Sequence, residues 1–226
     1  MLKAVIFDFD GVITDSEILH FRAFNTVLAP YGVELTTKEY YKTYLGFTDV
    51  DCFKVLIHQG RLKVNEGQVP KLVQHKLAVF EDLAKNEGRI IEGVRGFISM
   101  LDQNKTAMAI CSGALLPEIE MILEDAKLRQ FFAVVVSAEQ TEKSKPDPQG
   151  FLLTLDKLNA NRSEPIASEQ CVAIEDSHWG LEAAKAAAMH TVGVTNSYDA
   201  RQLSLAEKIV ANLSELSIAD LQQLCA

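Results

Sequence analysis

The sequence contains few of the residues that interrupt regular structure. Of its 226 residues, 6 are proline and 12 are glycine, and no low-complexity tract occurs, so long disordered regions are not expected. No apolar run approaches the roughly 20 residues needed to cross a bilayer. A strand pattern begins at Ala4 with no signal or transit pattern before it, and we therefore expect no membrane partner.

Cysteine is equally sparse, and its positions are scattered. Cys52, Cys111, Cys171 and Cys225 include no C-x-x-C pair, and the second and third of them lie in apolar, strand-like runs. This spacing argues against a disulfide framework and against a zinc site, and it favours a reducing, cytoplasmic location.

A basic excess is also missing. With 31 acidic and 22 basic residues, the net charge is −9, which argues against a nucleic-acid partner. An anionic substrate then has to be held by a few local donors and a metal ion, since the chain carries no overall positive field. No long apolar stripe or heptad repeat stands out, so we expect a monomer and keep a dimer as the alternative.

The chain does have a regular alternation of β-rich runs and helical patterns, and 48% hydrophobic residues with which to build a core. Such alternation predicts an α/β fold with a parallel sheet and helices on both faces. The expected strands are Ala4–Phe9, Ala107–Cys111, Ala133–Ser137, Cys171–Glu175, Thr191–Val194 and Lys208–Val210. The expected helices between them are Leu115–Asp125, Phe151–Leu158 and Gly180–Ala188.

Residues 16–89 interrupt this alternation, because they contain no convincing strand. Their pattern is typical of four helices, near Ser16–Leu28, Lys38–Leu45, Asp49–Gln59 and Gly67–Asn86. We therefore predict a catalytic core formed by residues 1–15 and 90–226, and an inserted all-α cap formed by residues 16–89. Hinges at Asp15–Glu17 and Gly88–Gly93 would allow the cap to act as a lid.

The most informative motif is Asp8-Phe9-Asp10, at the end of the first predicted strand. The two-residue period of a strand puts Asp8 and Asp10 on the same side. There the two carboxylates repel each other unless a cation or a shared proton relieves them. The carboxyl ends of parallel strands are also where such sheets bind ligands. Taken alone, the pair is equally compatible with a solvated acidic turn.

Three further polar segments follow strands, and in a parallel sheet they converge on the same edge. These segments are Cys111-Ser112-Gly113, Lys143–Pro148 and Glu175-Asp176-Ser177. Each has an ordinary interpretation by itself, as a strand–helix turn, a solvated loop and a helix N-terminal cap, respectively. Together with the aspartate pair, four such segments at four strand ends favour a catalytic site.

The residue types suit phosphoryl transfer through an aspartyl-phosphate. Asp8 is the predicted nucleophile. Asp10 is the predicted acid that protonates the leaving oxygen, and then the base that activates water. Lys145 would balance the charge on Asp8 and on the phosphoryl group, while Ser112 and the amide of Gly113 would hold the phosphoryl oxygens.

The acidic groups also predict a magnesium site. Mg²⁺ requires near-octahedral oxygen ligands. The expected protein ligands are Asp8, Asp176, the backbone carbonyl of Asp10 and, as an open question, Glu175.

These segments resemble the four motifs of the haloacid dehalogenase superfamily. The opening run Asp8–Asp15, followed by His20–Phe24, is similar to that of its β-phosphoglucomutase-like, or CbbY-like, branch. The resemblance implies a Rossmann-like core and a helical cap of the C1 type that closes over a small phosphorylated metabolite. Asp10 fits the phosphotransferases of the superfamily, because the dehalogenases proper lack a second aspartate there.

The chain departs from the mutase pattern at the positions that hold a second phosphate. The resemblance places a phosphate-gripping cap arginine where this chain has Asp49, and a serine and a lysine where it has Ala114 and Leu115. An acidic group at position 49 repels a second phosphate. The sequence therefore favours hydrolysis of a monophosphate, such as a sugar phosphate. A phosphomutase and a catalytically silent phosphate-binding module are the alternatives.

Two cap residues are further candidates for substrate binding. His20 lies on the helix that enters the cap and either couples cap closure to Asp10 or is an exposed or packed helical histidine. Lys76 either reaches the substrate from the cap or is a solvated helix lysine.

Overall fold

The computed structural model describes residues 1–45, 47–87 and 90–226, and contacts between residues divide the chain into two units. The first unit is formed by residues 1–15 and 90–226, and the second by residues 16–89. In the described part of the chain, no helix combines the length and the apolar character needed to cross a membrane.

A six-stranded sheet organises the first unit, and each pair of neighbouring strands is parallel. Its strands are β1 Ala4–Phe7, β2 Ala107–Cys111, β3 Val134–Val136, β4 Cys171–Glu175, β5 His190–Val194 and β6 Lys208–Val210. The order β3-β2-β1-β4-β5-β6 places β1 between β2 and β4. Ala4 pairs with Ala107 on one side and with Cys171 on the other. The carboxyl ends of these three central strands therefore meet at one edge.

The helices fall into two groups, one for each unit. In residues 16–89 they are α1 Glu17–Leu28, α2 Thr37–Glu39, α3 Asp49–His58 and α4 Val69–Glu87. In the first unit they are α5 Val94–Gln103, α6 Leu116–Asp125, α7 Gln149–Asn159, α8 His178–Ala186 and α9 Ile218–Leu224.

The side chains of β1 are fully buried and face two different helical layers. Ala4 and Ile6 belong to a core cluster with Phe151 of α7. The side chain of Phe7 points to the other face of the sheet, where it packs edge-on against Phe97 of α5, with ring centroids 6.0 Å apart. A strand covered on both faces explains why its sequence is a continuous apolar run. The predicted α/β fold, a Rossmann-like parallel sheet with helices on both faces, is confirmed.

The first unit differs from the predictions at the end of β1 and in two additional helices, while the bounds of several other elements shift by one or two residues. The first strand ends at Phe7, two residues early, because the chain turns so that the amide of Ile13 donates to the carbonyl of Phe9 at 2.8 Å. Two helices, α5 and α9, were not predicted. Gly93 precedes α5 with a left-handed φ of 89° and no capping side chain, so the usual start signal is missing. The signal for α9 was present, since Ser217 and Asp220 form a capping box.

The second unit is helical in its described part and has its own aromatic core. Phe24, Tyr40 and Phe53 are buried together in it. The predicted helix Lys38–Leu45 is wrong in type, because α2 passes into a wider π-helical turn at Tyr40–Tyr44. The interpretation of this unit as a cap stays a prediction. The proposed hinge at Gly88–Gly93 includes residues 88 and 89, which lie outside the described residues.

Candidate active site

Three carboxylates meet at the carboxyl edge of the central strands. Asp8 follows β1 directly, and its amide still donates to the carbonyl of Ile174 at 2.9 Å. Glu175 is the last residue of β4, and Asp176 comes next. Each of the three acidic side chains offers an oxygen, and these oxygens lie within 4.8 Å of one another. All three side chains are buried, so their mutual repulsion is only weakly screened by solvent.

Lys145 is the cation that joins two of these carboxylates. Its Nζ lies 2.6 Å from Oδ1 of Asp8 and 2.6 Å from Oε1 of Glu175. It also lies 3.0 Å from the carbonyl oxygen of Cys111, the last residue of β2. These three acceptors match the three N–H groups of an ammonium. The interpretation of Lys145 as part of a solvated loop is therefore wrong.

Burial and charge set the proton affinity of this group. Burial raises the pKa of Asp8 from 3.8 to about 7, with Lys145 opposing the rise and Glu175 adding to it. Burial alone would lower the pKa of Lys145, but the carboxylates of Asp8 and Glu175 outweigh that effect and hold it well above its usual value. Without a bound metal ion, the lysine is therefore charged across the physiological range, while Asp8 takes up a proton near neutral pH.

Glu175 is held rigidly by its neighbours. Its Oε2 accepts a hydrogen bond from the Ser177 hydroxyl at 3.1 Å, while Oε1 is bonded to Lys145. The Ser177 oxygen in turn accepts from the amide of Gly180 and caps α8. A Cβ at position 180 would overlap the Glu175 carboxyl group. Ser177 thus caps a helix and positions an acidic residue at once. Sequence reasoning considered only the capping role.

Gly11 is the glycine that the carboxylate edge requires. It has a left-handed φ of 78°, a conformation that disfavours a side chain. A Cβ at this position would overlap the carboxylate of Asp176 and would lie 3.0 Å from the hydroxyl of Ser197. The loop after β1 can therefore approach Asp176 closely only with glycine at position 11.

Ser112 and Gly113 follow β2 at the same edge. The amide of Ser112 donates to the carbonyl of Val136 at 2.9 Å, and its hydroxyl oxygen accepts from the amide of Ala114 at 3.0 Å. The serine is buried, whereas the space that a Cβ at Gly113 would occupy is open. This arrangement leaves room beside the Gly113 backbone, and the predicted phosphate-binding role of both residues stays a prediction.

The donor set fits a hard divalent cation. Asp8, Glu175 and Asp176 supply carboxylate oxygens, and Lys145 is the cation recorded in contact with two of them. Mg²⁺ would add positive charge beside these buried carboxylates and take the oxygen ligands it prefers. Asp10 is outside this carboxylate cluster, so its predicted contribution remains the one through its backbone carbonyl.

The two cap candidates lie together in the second unit. Lys76 of α4 is fully buried, and its Nζ lies 2.5 Å from Nδ1 of His20 on α1. The same Nζ forms an ion pair with Oδ2 of Asp49 at 3.0 Å, although the angles are not those of a hydrogen bond. Phe80 stacks on the His20 ring at 4.2 Å and lies 4.9 Å from the Lys76 ammonium.

This placement answers one sequence question and shows what sequence reasoning missed. Lys76 is fully buried and is therefore not a solvated helix lysine, and His20 is buried as well. The substrate-binding role of Lys76 and the coupling of His20 to Asp10 stay predictions. The ion pair between Lys76 and Asp49 was not anticipated, because the two residues lie on different helices with no local spacing to connect them.

Comparison with known proteins identifies the family. A family model described as haloacid dehalogenase-like hydrolase matches residues 5–194. The chain is 31% identical over 198 residues to the phosphorylated carbohydrates phosphatase of Thermotoga maritima, with 87% of each chain covered. It is 30% identical over 222 residues to hexitol phosphatase B of Escherichia coli, with 97% of this chain and 96% of that one covered.

A solved structure shows the same fold. CbbY from Rhodobacter sphaeroides, in complex with phosphate, matches with a TM-score of 0.89 at 23% identity, and covers 98% of this chain and 100% of that chain. The predicted superfamily and the CbbY-like fold are confirmed. The two relatives are named phosphatases, and the prediction of a hydrolytic enzyme of this superfamily is confirmed as well. The four motif segments all lie inside the matched residues, and the chain belongs to the haloacid dehalogenase-like hydrolase family.

Proposed function

We propose that this enzyme is a Mg²⁺-dependent phosphatase that hydrolyses the monophosphate of a small sugar or similar metabolite through an aspartyl-phosphate on Asp8. The observation that carries the proposal is the bridge from Lys145 to Asp8 and Glu175, beside Asp176. The names of the relatives, which specify phosphorylated carbohydrates and a hexitol, support the substrate class.

In the first step, the Asp8 carboxylate attacks phosphorus. The bond from phosphorus to the leaving oxygen breaks, and Asp10 gives its proton to that oxygen as the alcohol departs. Lys145 keeps Asp8 oriented through its 2.6 Å contact and offsets negative charge on the transferring group. The Ser112 hydroxyl and the Gly113 amide hold the non-bridging oxygens.

In the second step, Asp10 removes a proton from a water molecule. The water oxygen attacks phosphorus, and the bond between phosphorus and the Asp8 oxygen breaks. This step releases inorganic phosphate and restores the Asp8 carboxylate. One residue thus serves first as acid and then as base, so Asp10 ends the cycle in the protonation state in which it began.

Asp8, Asp176 and the backbone carbonyl of Asp10 would hold the metal. When bound, Mg²⁺ neutralises the repulsion between Asp8 and an incoming phosphate. Glu175 already has a partner on each oxygen, Lys145 and Ser177, so we assign it the task of holding Lys145 in place.

The second unit supports a monophosphate in preference to a bisphosphate. Asp49 occupies the position where the mutase pattern has an arginine, and its carboxylate pairs with the ammonium of Lys76. The charge of Lys76 is thereby balanced inside the unit, where burial makes the pairing strong. Positions 114 and 115, where the mutase pattern has a serine and a lysine, are Ala114 and Leu115 here. None of the three positions that hold the second phosphate in the mutase pattern therefore supplies a cation in this chain.

The proposal is tested with p-nitrophenyl phosphate and a panel of sugar monophosphates. Asp8→Asn should abolish turnover, and EDTA should do the same until Mg²⁺ is restored. Asp156→Asn, at an exposed position of α7, is the matched control and should retain wild-type activity. Substantial turnover by Asp8→Asn, or in EDTA, would show that the mechanism is wrong.

The mutase alternative has its own test. Pure protein should release phosphate from β-glucose 1-phosphate or leave it unchanged. Formation of glucose 6-phosphate would overturn the inference drawn from Asp49, Ala114 and Leu115.

A further inference from the structure

Asn196, just beyond β5, is tied to the loop that carries both aspartates. Its side-chain amide donates to the carbonyl oxygen of Gly11 at 2.6 Å. This short bond joins segments 185 residues apart in the chain. Nothing in the mechanism described above uses Asn196, and no local sequence pattern indicates the contact.

The bond holds the loop at its most constrained point. Gly11 has its left-handed φ of 78°, and its amide donates to the carbonyl of Thr14 at 2.8 Å. The Asp176 carboxylate and the Ser197 hydroxyl both occupy the space beside this residue that a Cβ would need. Its amide and its carbonyl are both fixed, and the peptide that joins it to Asp10 therefore has little freedom.

Asn196 is itself anchored to the sheet. Its backbone amide donates to the backbone carbonyl of Val194, the last residue of β5, at 2.9 Å. The backbone amide of Thr195 donates to the backbone carbonyl of Val210, in β6, at 3.1 Å. The asparagine therefore has a rigid base, and it transmits the position of β5 and β6 to the loop after β1.

We infer that Asn196 is a positioning residue that fixes Asp10 and the adjacent metal-binding carbonyl relative to Asp8 and Asp176. The inference rests on the proposed function for the roles of the two aspartates. Residues that orient metal ligands from outside the ligand shell commonly change metal affinity or activity about 10- to 100-fold when they are replaced. Asn196 is surface-exposed, so its replacement should not unfold the protein.

The chain supplies a matched control in Asn159. Its side-chain amide donates to the carbonyl of Ile166 at 2.9 Å, and its side-chain oxygen accepts from the Ile166 amide at 2.8 Å. It is also an asparagine that ties down a loop of the first unit, but it lies at the C-terminal end of α7, before β4, and both of these bonds go to a residue outside the proposed site. A purely structural role would give Asn159→Ala and Asn196→Ala the same phenotype.

The experiment compares Asn196→Ala, Asn196→Asp and Asn159→Ala with the wild type. Asn196→Asp keeps the size of the side chain but places a carboxylate against the Gly11 carbonyl. Amide hydrogen exchange of residues 8–15 is measured without metal, and Mg²⁺ is then titrated using the fluorescence of Trp179, the single tryptophan, three residues after Asp176. We expect both Asn196 variants to exchange about two- to tenfold faster in this loop. Their apparent Mg²⁺ dissociation constant should be raised at least about tenfold, and kcat should fall far more than KM changes.

Unchanged exchange in residues 8–15 would overturn the inference, as would an equal weakening of Mg²⁺ binding by Asn159→Ala. If the wild type hydrolyses no phosphate ester, the proposed function fails. The role of Asn196 is then still decided by two measurements, the amide hydrogen exchange of residues 8–15 and the Mg²⁺ dissociation constant. If the wild type binds no Mg²⁺, the exchange comparison between the two asparagine sites decides it.

Discussion

Replacing Asp8 by asparagine is expected to inactivate the enzyme and, in the absence of metal, to stabilise it at alkaline pH. Asp8 and Glu175 are both buried and share the ammonium of Lys145. The substitution removes one carboxylate and leaves Glu175 and Lys145 as a matched ion pair. The free energy of unfolding should rise, because a buried charge in excess of its counter-charge has been removed.

The raised pKa of Asp8 sets an upper limit for this gain. Burial, opposed in part by Lys145, raises the pKa from 3.8 to about 7, which is a difference of about three pH units. Each pH unit corresponds to about 1.4 kcal/mol. Ionised Asp8 therefore destabilises the folded state by up to about 4 kcal/mol, on an order-of-magnitude basis.

The pH dependence of the gain has a definite sign. Because the folded-state pKa of Asp8 is above the unfolded-state value, the folded protein binds the additional proton between about pH 4 and pH 7. The stability of the wild type falls as pH rises through this window and levels off above it. The difference between Asp8→Asn and wild type should be about 1 to 2 kcal/mol near pH 5 and about 4 kcal/mol near pH 8.5.

The assay is urea unfolding in EDTA at several pH values between 5 and 8.5. Asp220→Asn is the control of opposite sign, because hydrogen bonds from Lys208 and Ser217 hold the pKa of Asp220 well below its usual value. That variant should be less stable than wild type at neutral pH, with a deficit that shrinks as pH falls. An Asp8→Asn protein that gains no stability between pH 5 and pH 8.5 would refute the reasoning.

Three further predictions concern the buried charges and the glycine beside them. Lys145→Met should raise the pKa of Asp8 in the metal-free protein above about 7, because Lys145 opposes the effect of burial; an unshifted midpoint in an NMR titration of the Asp8 carboxyl group would contradict this. Gly180→Ala should lower the free energy of unfolding by about 1 to 3 kcal/mol, despite alanine's better helix propensity, because its Cβ overlaps Glu175. Thermal unfolding measures this change, and a Gly180→Ala protein more stable than the wild type would contradict the predicted overlap with Glu175. Lys76→Met should destabilise the protein by about 1 to 3 kcal/mol by leaving the mostly buried carboxylate of Asp49 without its cation. The double variant with Asp49→Leu should recover most of the loss in the same denaturation assay, and no recovery would show that the pair is not the cause.

The sequence was most informative where short apolar runs are bounded by polar residues. The predicted bounds of β2 and β4 coincide with the observed ones, Ala107–Cys111 and Cys171–Glu175. The same runs placed the motif residues at one edge, because parallel strands end together. Helix α5 was missed for the opposite reason, as Gly93 gives no side-chain cap.

Apart from the pairing of Lys145 with Asp8, side-chain partnerships between distant segments could not be predicted. Topology places Lys145 near Asp8, but only the structure shows that its ammonium also binds Glu175 and the Cys111 carbonyl. The burial of Lys76 was likewise hidden, because a lysine in an amphipathic helix is usually solvated. Such contacts depend on packing between elements, which a local pattern does not encode.

The position of β1 at the centre of the sheet has a consequence for synthesis on the ribosome. Its apolar run is made before both of its partner strands, because Ala107 and Cys171 follow only after the whole helical segment of residues 16–89 has been translated. At usual elongation rates of about 5 to 20 residues per second, β1 waits about 5 to 20 s for β2 and longer for β4. During that interval, both backbone edges of an apolar strand are open to other nascent chains. Aggregation of incomplete chains, more than loss of the finished fold, is the hazard that this topology creates.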